Sequence, residues 1–123
     1  MTAHRILIIE DEQDLLELYR MSLEKAGFEV HTAKNGIEGI SASLQKKPEL
    51  ILLDLMMPMA GGKDVLSMIQ LNAEINTVPI IIISNLDPGS IDLSHYEDQI
   101  MDYWVKSELT PNTLTEKLVD YFS

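Results

Sequence analysis

Five short apolar runs punctuate the chain: RILII (5 to 9), FEVHT (28 to 32), ELILLD (49 to 54), PIIIIS (79 to 84) and DYWV (102 to 105). Rich in branched and aromatic residues, they predict strands. Between them the spacing changes to helical: Leu16, Tyr19 and Leu23; Ile37, Ile40 and Leu44; Leu66, Ile69 and Ala73. Each set falls at i, i+3, i+7, which predicts one apolar helix face. A last helix carries Leu114, Leu118, Tyr121 and Phe122. Gly27 is placed to end the first helix in the left-handed region, and Thr110-Pro111 to start the last as N-cap and N1. The stretch from Asp87 to Ile100 is the weakest element, opening DPGS and offering only Leu93, Tyr96 and Ile100 as a stripe. Its helix is expected to be short or mobile.

Alternating strands and helices predict an α/β domain of five βα units, with a parallel sheet covered on both faces. The unalternating runs ILLDL and IIIIS fit strands buried on both sides. Right-handed crossovers leave few strand orders, of which 2-1-3-4-5 is a common one. No repeat, low-complexity tract or linker interrupts the 123 residues, so one domain over 1–123 with no output domain in this chain is the expectation.

Charge and composition narrow the function classes. Nine Lys+Arg against 20 Asp+Glu give a net charge of -11, which repels phosphate backbones and anionic lipid heads. Direct nucleic-acid and membrane binding are therefore disfavoured. Without cysteine there is neither a disulfide frame nor a thiolate metal site. The N-terminal apolar stretch is too short for a signal peptide and no 18-residue apolar span occurs, so a soluble cytoplasmic protein is the default.

Within LILLDLMMPM, four aliphatic residues deliver Asp54 to the end of a buried run, and Pro58 stops the strand soon after. An ionised carboxylate there needs a strand exit or a cation. In an open parallel sheet chemistry collects at the carboxyl ends of the strands. Those ends carry Glu10-Asp11-Glu12, Asp54, Ser84 and Lys106. Converging carboxylates without thiols suit Mg²⁺. Asp54 is then free as a nucleophile towards phosphorus, Lys106 balances charge on the transferred group, and Ser84 donates to one of its oxygens. Singly, each has a plainer reading: the acids as caps of the first helix, Ser84 as a loop residue, Lys106 as a surface lysine.

The acidic pair in ILIIEDEQDLL, the acceptor in LILLDLMMP, the hydroxyl in IIIIS and the lysine in DYWVK stand in order and at fitting spacing. In these motifs the chain, from about Arg5 to Phe122, resembles the receiver domain of two-component response regulators. The resemblance implies a flavodoxin-like doubly wound five-stranded sheet of order 2-1-3-4-5 with helices on both faces. It also implies phosphoryl transfer onto Asp54 from a phosphohistidine on a sensor histidine kinase or histidine phosphotransfer protein. Glu10 and Asp11 match the metal-binding pair, Asp11 directly and Glu10 through water, and the backbone carbonyl of Met56 matches a third protein ligand. Ser84 matches the switch hydroxyl, Lys106 the phosphate-pairing lysine, and Tyr103 the aromatic that follows Ser84. Such a domain catalyses only its own phosphorylation and dephosphorylation. Its output is a protein contact with a downstream target, through the face made by the 87–100 segment and the fifth strand; Tyr103, Trp104 and the residues from Asp92 to Gln99 are the candidates.

Four departures from the family pattern are visible. Ser107 follows the lysine where proline is usual, and a trans bond is expected there. Asn85 replaces a small residue after the hydroxyl, where it either crowds the phosphate entrance or hydrogen-bonds in it. The loop after Pro58 reads MAGG, and Gln99-Ile100 replaces a Gly-Ala pair, removing a helix C-cap. Two alternatives stand beside the switch: a pseudo-receiver that binds partners without being phosphorylated, and a phosphatase of the haloacid dehalogenase type. The latter normally has a second Asp two residues after the nucleophile, where this chain has Met56. A flavodoxin-like FMN binder lacks its phosphate loop here, and acids after the first strand would repel the FMN phosphate.

Overall fold

The computed structural model describes residues 3–57 and 61–123. Pro58, Met59 and Ala60, and with them the first half of the MAGG departure, lie outside the described residues. The elements run β1 (Arg5–Ile9), α1 (Gln13–Lys25), β2 (Glu29–Ala33), α2 (Gly36–Lys46), β3 (Leu50–Asp54), α3 (Gly62–Gln70), β4 (Ile80–Ser84), β5 (Ile100–Val105) and α4 (Pro111–Phe122). The strands form one sheet in the order β2-β1-β3-β4-β5, every pair parallel. Both order and direction agree with the sequence reading.

The period of two along the strands sorts side chains into two cores. Ile6 and Ile8 of β1, Leu50 and Leu52 of β3, and Ile81 and Ile83 of β4 pack with Leu16, Tyr19, Leu23, Leu114 and Leu118 under α1 and α4. Leu7, Ile9, Ile51, Leu53, Ile80 and Ile82 face the other way, against Val65, Leu66 and Ile69 of α3. Helix ends follow the expected chemistry. Gly27, at φ 100, closes α1 in a Schellman arrangement: its N–H donates to Glu24 and that of Phe28 to Leu23. Thr110 and Thr113 cap α4 reciprocally ahead of Pro111.

Several expectations need correction. The fourth crossover contains no α-helix; Pro88–Ser90 and Ser94–Tyr96 are single 3-10 turns. Local side-chain bonds compete with helix formation there: Asp87 Oδ1 accepts from the Gly89 N–H, Ser90 Oγ donates to the Asp87 carbonyl, and Asp92 Oδ1 accepts from the Ser94 N–H. With no helix to cap, Gln99 acts as a strut instead, Nε2 donating to the carbonyls of Ile75 and Val78. Ile37 is 62% exposed, because α2 is buried through Gly36, Gly39 and Ser43. Ala73 lies beyond the end of α3 and is exposed, and Ile75 fills the core in its place.

Gly62 fixes how α3 approaches the end of β3. A Cβ there would stand 2.5 Å from Leu55 Cα and 3.1 Å from the Asp54 carbonyl oxygen. Because the obstacle is backbone, Gly62→Ala must push α3 off the sheet. A destabilisation of about 1 to 3 kcal/mol is expected, the usual cost of overpacking, readable as a lowered urea midpoint with unchanged slope. An unchanged midpoint would contradict this close approach.

Candidate functional site

Strand register sets the site. Ile9 pairs with Leu53 and Asp54 with Ile83, so the residues leaving β1, β3 and β4 emerge side by side, with β5 alongside through Ser84 and Val105. Glu10, Asp11 and Asp54 bring one carboxylate oxygen each to within 4.8 Å of one another. Lys106 Nζ donates to Glu10 Oε1 at 2.6 Å and Asp54 Oδ2 at 3.4 Å, and stands 3.5 Å from Glu12 Oε2. Glu12 supplies the N-cap of α1 but makes no capping bond. Glu10 and Glu12 therefore face the lysine, and Glu12 does not serve the helix by a capping bond. A cavity of about 210 Å³ opens here, lined by Asp11, Glu12, Asp54, Met56, Asn85 and Lys106. A larger cavity of about 490 Å³ near His4, Gly27 and Phe122 holds none of these groups.

Asp54 is buried, its Oδ1 accepting from the Met56 N–H at 3.0 Å. The Met56 side chain is exposed at the cavity's edge. Ser84 is fully buried, and its Oγ accepts from the Leu86 N–H at 3.1 Å. That bond uses a lone pair and leaves the hydroxyl proton free to donate. The Leu86 carbonyl in turn accepts from Tyr103 Oη at 2.8 Å. Ser84 and Tyr103 thus share one residue, a link sequence reading could not supply. Trp104, a candidate contact residue, is instead 9% exposed in the core beneath α4, with Lys117 Nζ over its ring and Nε1 donating to Asp102. The bond into Ser107 is trans, as expected.

Burial is the largest influence on Glu10, and the neighbouring Asp54 adds to it; together they push its carboxyl up to about 8 against the pull of Lys106. Burial alone would lower Lys106, but the hydrogen bond to Glu10 and the charges of Asp54, Glu10 and Glu12 raise it overall. Glu10 Oε2 is buried with no hydrogen-bond partner among the described residues. An unpartnered acid oxygen beside two further carboxylates, with only hard oxygen donors present, fits a divalent cation such as Mg²⁺. A folded-state value raised from 4.5 to about 8 means the folded chain holds this proton more tightly. The resulting stabilisation is complete below 4.5 and lost as pH rises through 8. Metal-free protein is therefore expected to melt at lower temperature at pH 8.5 than at pH 5.5 on this group's account. Glu10→Gln should flatten the dependence and Mg²⁺ should offset it; a slope that survives Glu10→Gln would assign it elsewhere.

An open parallel sheet with a carboxylate pocket and a lysine at its carboxyl end defines a CheY-like fold of the flavodoxin type. The chemotaxis response regulator CheY4 of Vibrio cholerae superposes at TM-score 0.84 over 97% of this chain and 98% of its own, at 21% identity. The chain belongs to the response regulator receiver domain family, whose model matches residues 6–119. Protein PilH of Pseudomonas aeruginosa is 35% identical over 83% of this chain and 84% of its own length. The DNA-binding dual master transcriptional regulator RpaA of Synechocystis is 31% identical over 83% of this chain and 42% of its own. The chain thus spans less than half of that regulator, and similarly 45% of the mycobacterial transcriptional regulatory protein PrrA. Receiver domains are signalling switches that interact with a histidine kinase or other phosphodonor and with downstream targets, and they bind Mg²⁺ at an acidic pocket. No helix among the described residues is long and apolar enough to cross a membrane.

Proposed function

We propose that the chain accepts a phosphoryl group on Asp54 from a phosphohistidine of a sensor histidine kinase or phosphotransfer protein. The convergence of three carboxylates within 4.8 Å, with Lys106 Nζ 3.4 Å from Asp54 Oδ2, carries the reading. An Asp54 carboxylate oxygen attacks phosphorus. The P–N bond to the donor imidazole breaks, its electron pair stays on the ring nitrogen, and an acyl phosphate remains on Asp54. Asp11 and, through water, Glu10 would hold Mg²⁺ together with Asp54 and the Met56 carbonyl. The bound ion supplies charge neutralisation among these acids and at the transferred oxygens. Lys106 pairs with one phosphoryl oxygen and the free Ser84 hydroxyl proton donates to another.

The switch follows from the Leu86 link. When Ser84 moves towards the phosphoryl group, its bond to the Leu86 N–H is disturbed, and Leu86 carries the change to Tyr103. Tyr103 lines a groove of about 390 Å³ with Pro88, Ile91, Leu93 and Ile100, so the populations of this face become coupled to the charge on Asp54. The output is a downstream protein contact on this face. Direct nucleic-acid binding is disfavoured by a net charge of -11, and residues 87–102 carry Asp87, Asp92, Glu97, Asp98 and Asp102 with no lysine or arginine. Intact mass after incubation with acetyl phosphate, with and without Mg²⁺, tests the reading. One Mg²⁺-dependent phosphoryl adduct supports it; a folded, Mg²⁺-binding chain that gains none is a protein-binding module instead.

A further inference from the structure

Two residues that depart from the family pattern are bonded to each other. Asn85 leaves β4 directly after Ser84, Ser107 follows Lys106 in the 3-10 turn after β5, and Asn85 Oδ1 accepts from the Ser107 backbone N–H at 2.7 Å. A backbone N–H can only donate, so the amide atom facing it must be the oxygen; the flipped amide would set donor against donor. Asn85 is also a wall of the acid cavity, beside Asp54 and Lys106. Its Oδ1 is occupied, and no described residue accepts from Nδ2.

Resting on the phosphoacceptor reading, we propose that Asn85 Nδ2 donates a hydrogen bond to the anion bound at Asp54, and that the Ser107 N–H orients it. A phosphoryl group presents three terminal oxygens with several lone pairs each, so Lys106, Ser84 and the metal of the proposed function leave acceptor capacity for a further donor. The remaining wall is formed by the acids Asp11 and Glu12 and by Met56. A neutral carboxamide adds a donor there without adding a cation that would compete with Mg²⁺ for the carboxylates. The identities at the two positions are linked, because proline at 107 would have no N–H to hold the amide.

Calorimetric titration of Mg²⁺ alone, and of beryllium fluoride in saturating Mg²⁺, tests this on wild type, Asn85→Ala, Ser107→Pro and the double variant. Asn85→Ala should weaken binding of beryllium fluoride, whose fluorines stand in for the phosphoryl oxygens, about tenfold, the scale of one hydrogen bond to a charged group, and leave Mg²⁺ affinity within about twofold, since no Asn85 atom ligates it. In the Ser107→Pro background the same substitution should have little further effect. Equal beryllium fluoride affinity in wild type and Asn85→Ala overturns the donor. So does a matching loss of Mg²⁺ affinity, which would report a rearranged carboxylate cluster instead. A full tenfold loss on adding Asn85→Ala to Ser107→Pro overturns the orienting role. Wild type that binds Mg²⁺ but no beryllium fluoride overturns the phosphoacceptor reading itself, separating that failure from these.

Discussion

Asp54→Asn is expected to abolish the phosphoryl adduct outright, while wild type incubated with acetyl phosphate and Mg²⁺ gains a single one. The substitution isolates the chemistry because it is nearly isosteric. Asp54 is 2% exposed, and its Oδ1 bond from the Met56 N–H can be kept by a carboxamide oxygen. What disappears is the anionic nucleophile. A neutral amide oxygen attacks phosphorus far more weakly, so the loss should be complete on the timescale of the wild-type reaction. The same change should alter the neighbours in a defined direction. Asp54 is one of the influences that raise Glu10, so its replacement should let Glu10 ionise at lower pH and weaken the pH dependence of melting. Mg²⁺ affinity should fall with one anionic ligand gone. Intact mass and calorimetry on the same sample read both effects. An adduct that persists in Asp54→Asn would transfer the acceptor role to another carboxylate of the cluster, Asp11 or Glu10.

Much of this site was legible because strand ends are set by apolar runs. IIIIS can end only where its branched residues stop, and that places Ser84 beside the exits of β3 and β5 whatever the loops do. Asp54, Glu10 and Lys106 are located by the same reasoning. Periodicity failed where burial is not carried by apolar side chains. The inner face of α2 is glycine and serine because Ile9 fills the space: a Cβ on Gly39 would lie 2.6 Å from Ile9 Cδ1. The helix pattern in that segment therefore pointed to Ile37, which solvent covers. The fourth crossover failed in another way. Leu93, Tyr96 and Ile100 do pack on the core, as their spacing suggested, but Asx turns hold them there without a helix. Loop partnerships such as Asn85 with Ser107, or Ser84 and Tyr103 through Leu86, depend on backbone directions after the strands end, and no spacing rule encodes those. Three of the four departures from the family pattern thus have a local partner: Gln99 braces Ile75 and Val78, and Asn85 takes the N–H that Ser107 retains.

Lys106→Ala should separate the electrostatic roles of the pocket. Lys106 is the cation among the four acids, touching Glu10 and Asp54 and lying near Glu12. Removing one member of a buried pair costs about 3 to 5 kcal/mol when the other must stay charged. Here Glu10, already pushed up to about 8, can take a proton instead. The loss at neutral pH should therefore be smaller, about 1 to 2 kcal/mol, and should grow towards pH 9 as ionisation is forced on the buried carboxyl. Mg²⁺ affinity should increase, because the ion no longer competes with an ammonium for the same oxygens, and saturating Mg²⁺ should restore most of the lost melting temperature. Phosphorylation should respond in the opposite sense. Lys106 compensates charge on the transferred oxygens, and losing one such group typically slows transfer about 10²- to 10³-fold. Tighter metal binding together with slower phosphorylation is the signature of a lysine that serves the phosphoryl group. If both properties decline together, Lys106 is holding the pocket's shape, and the charge on the transferred oxygens is being balanced elsewhere.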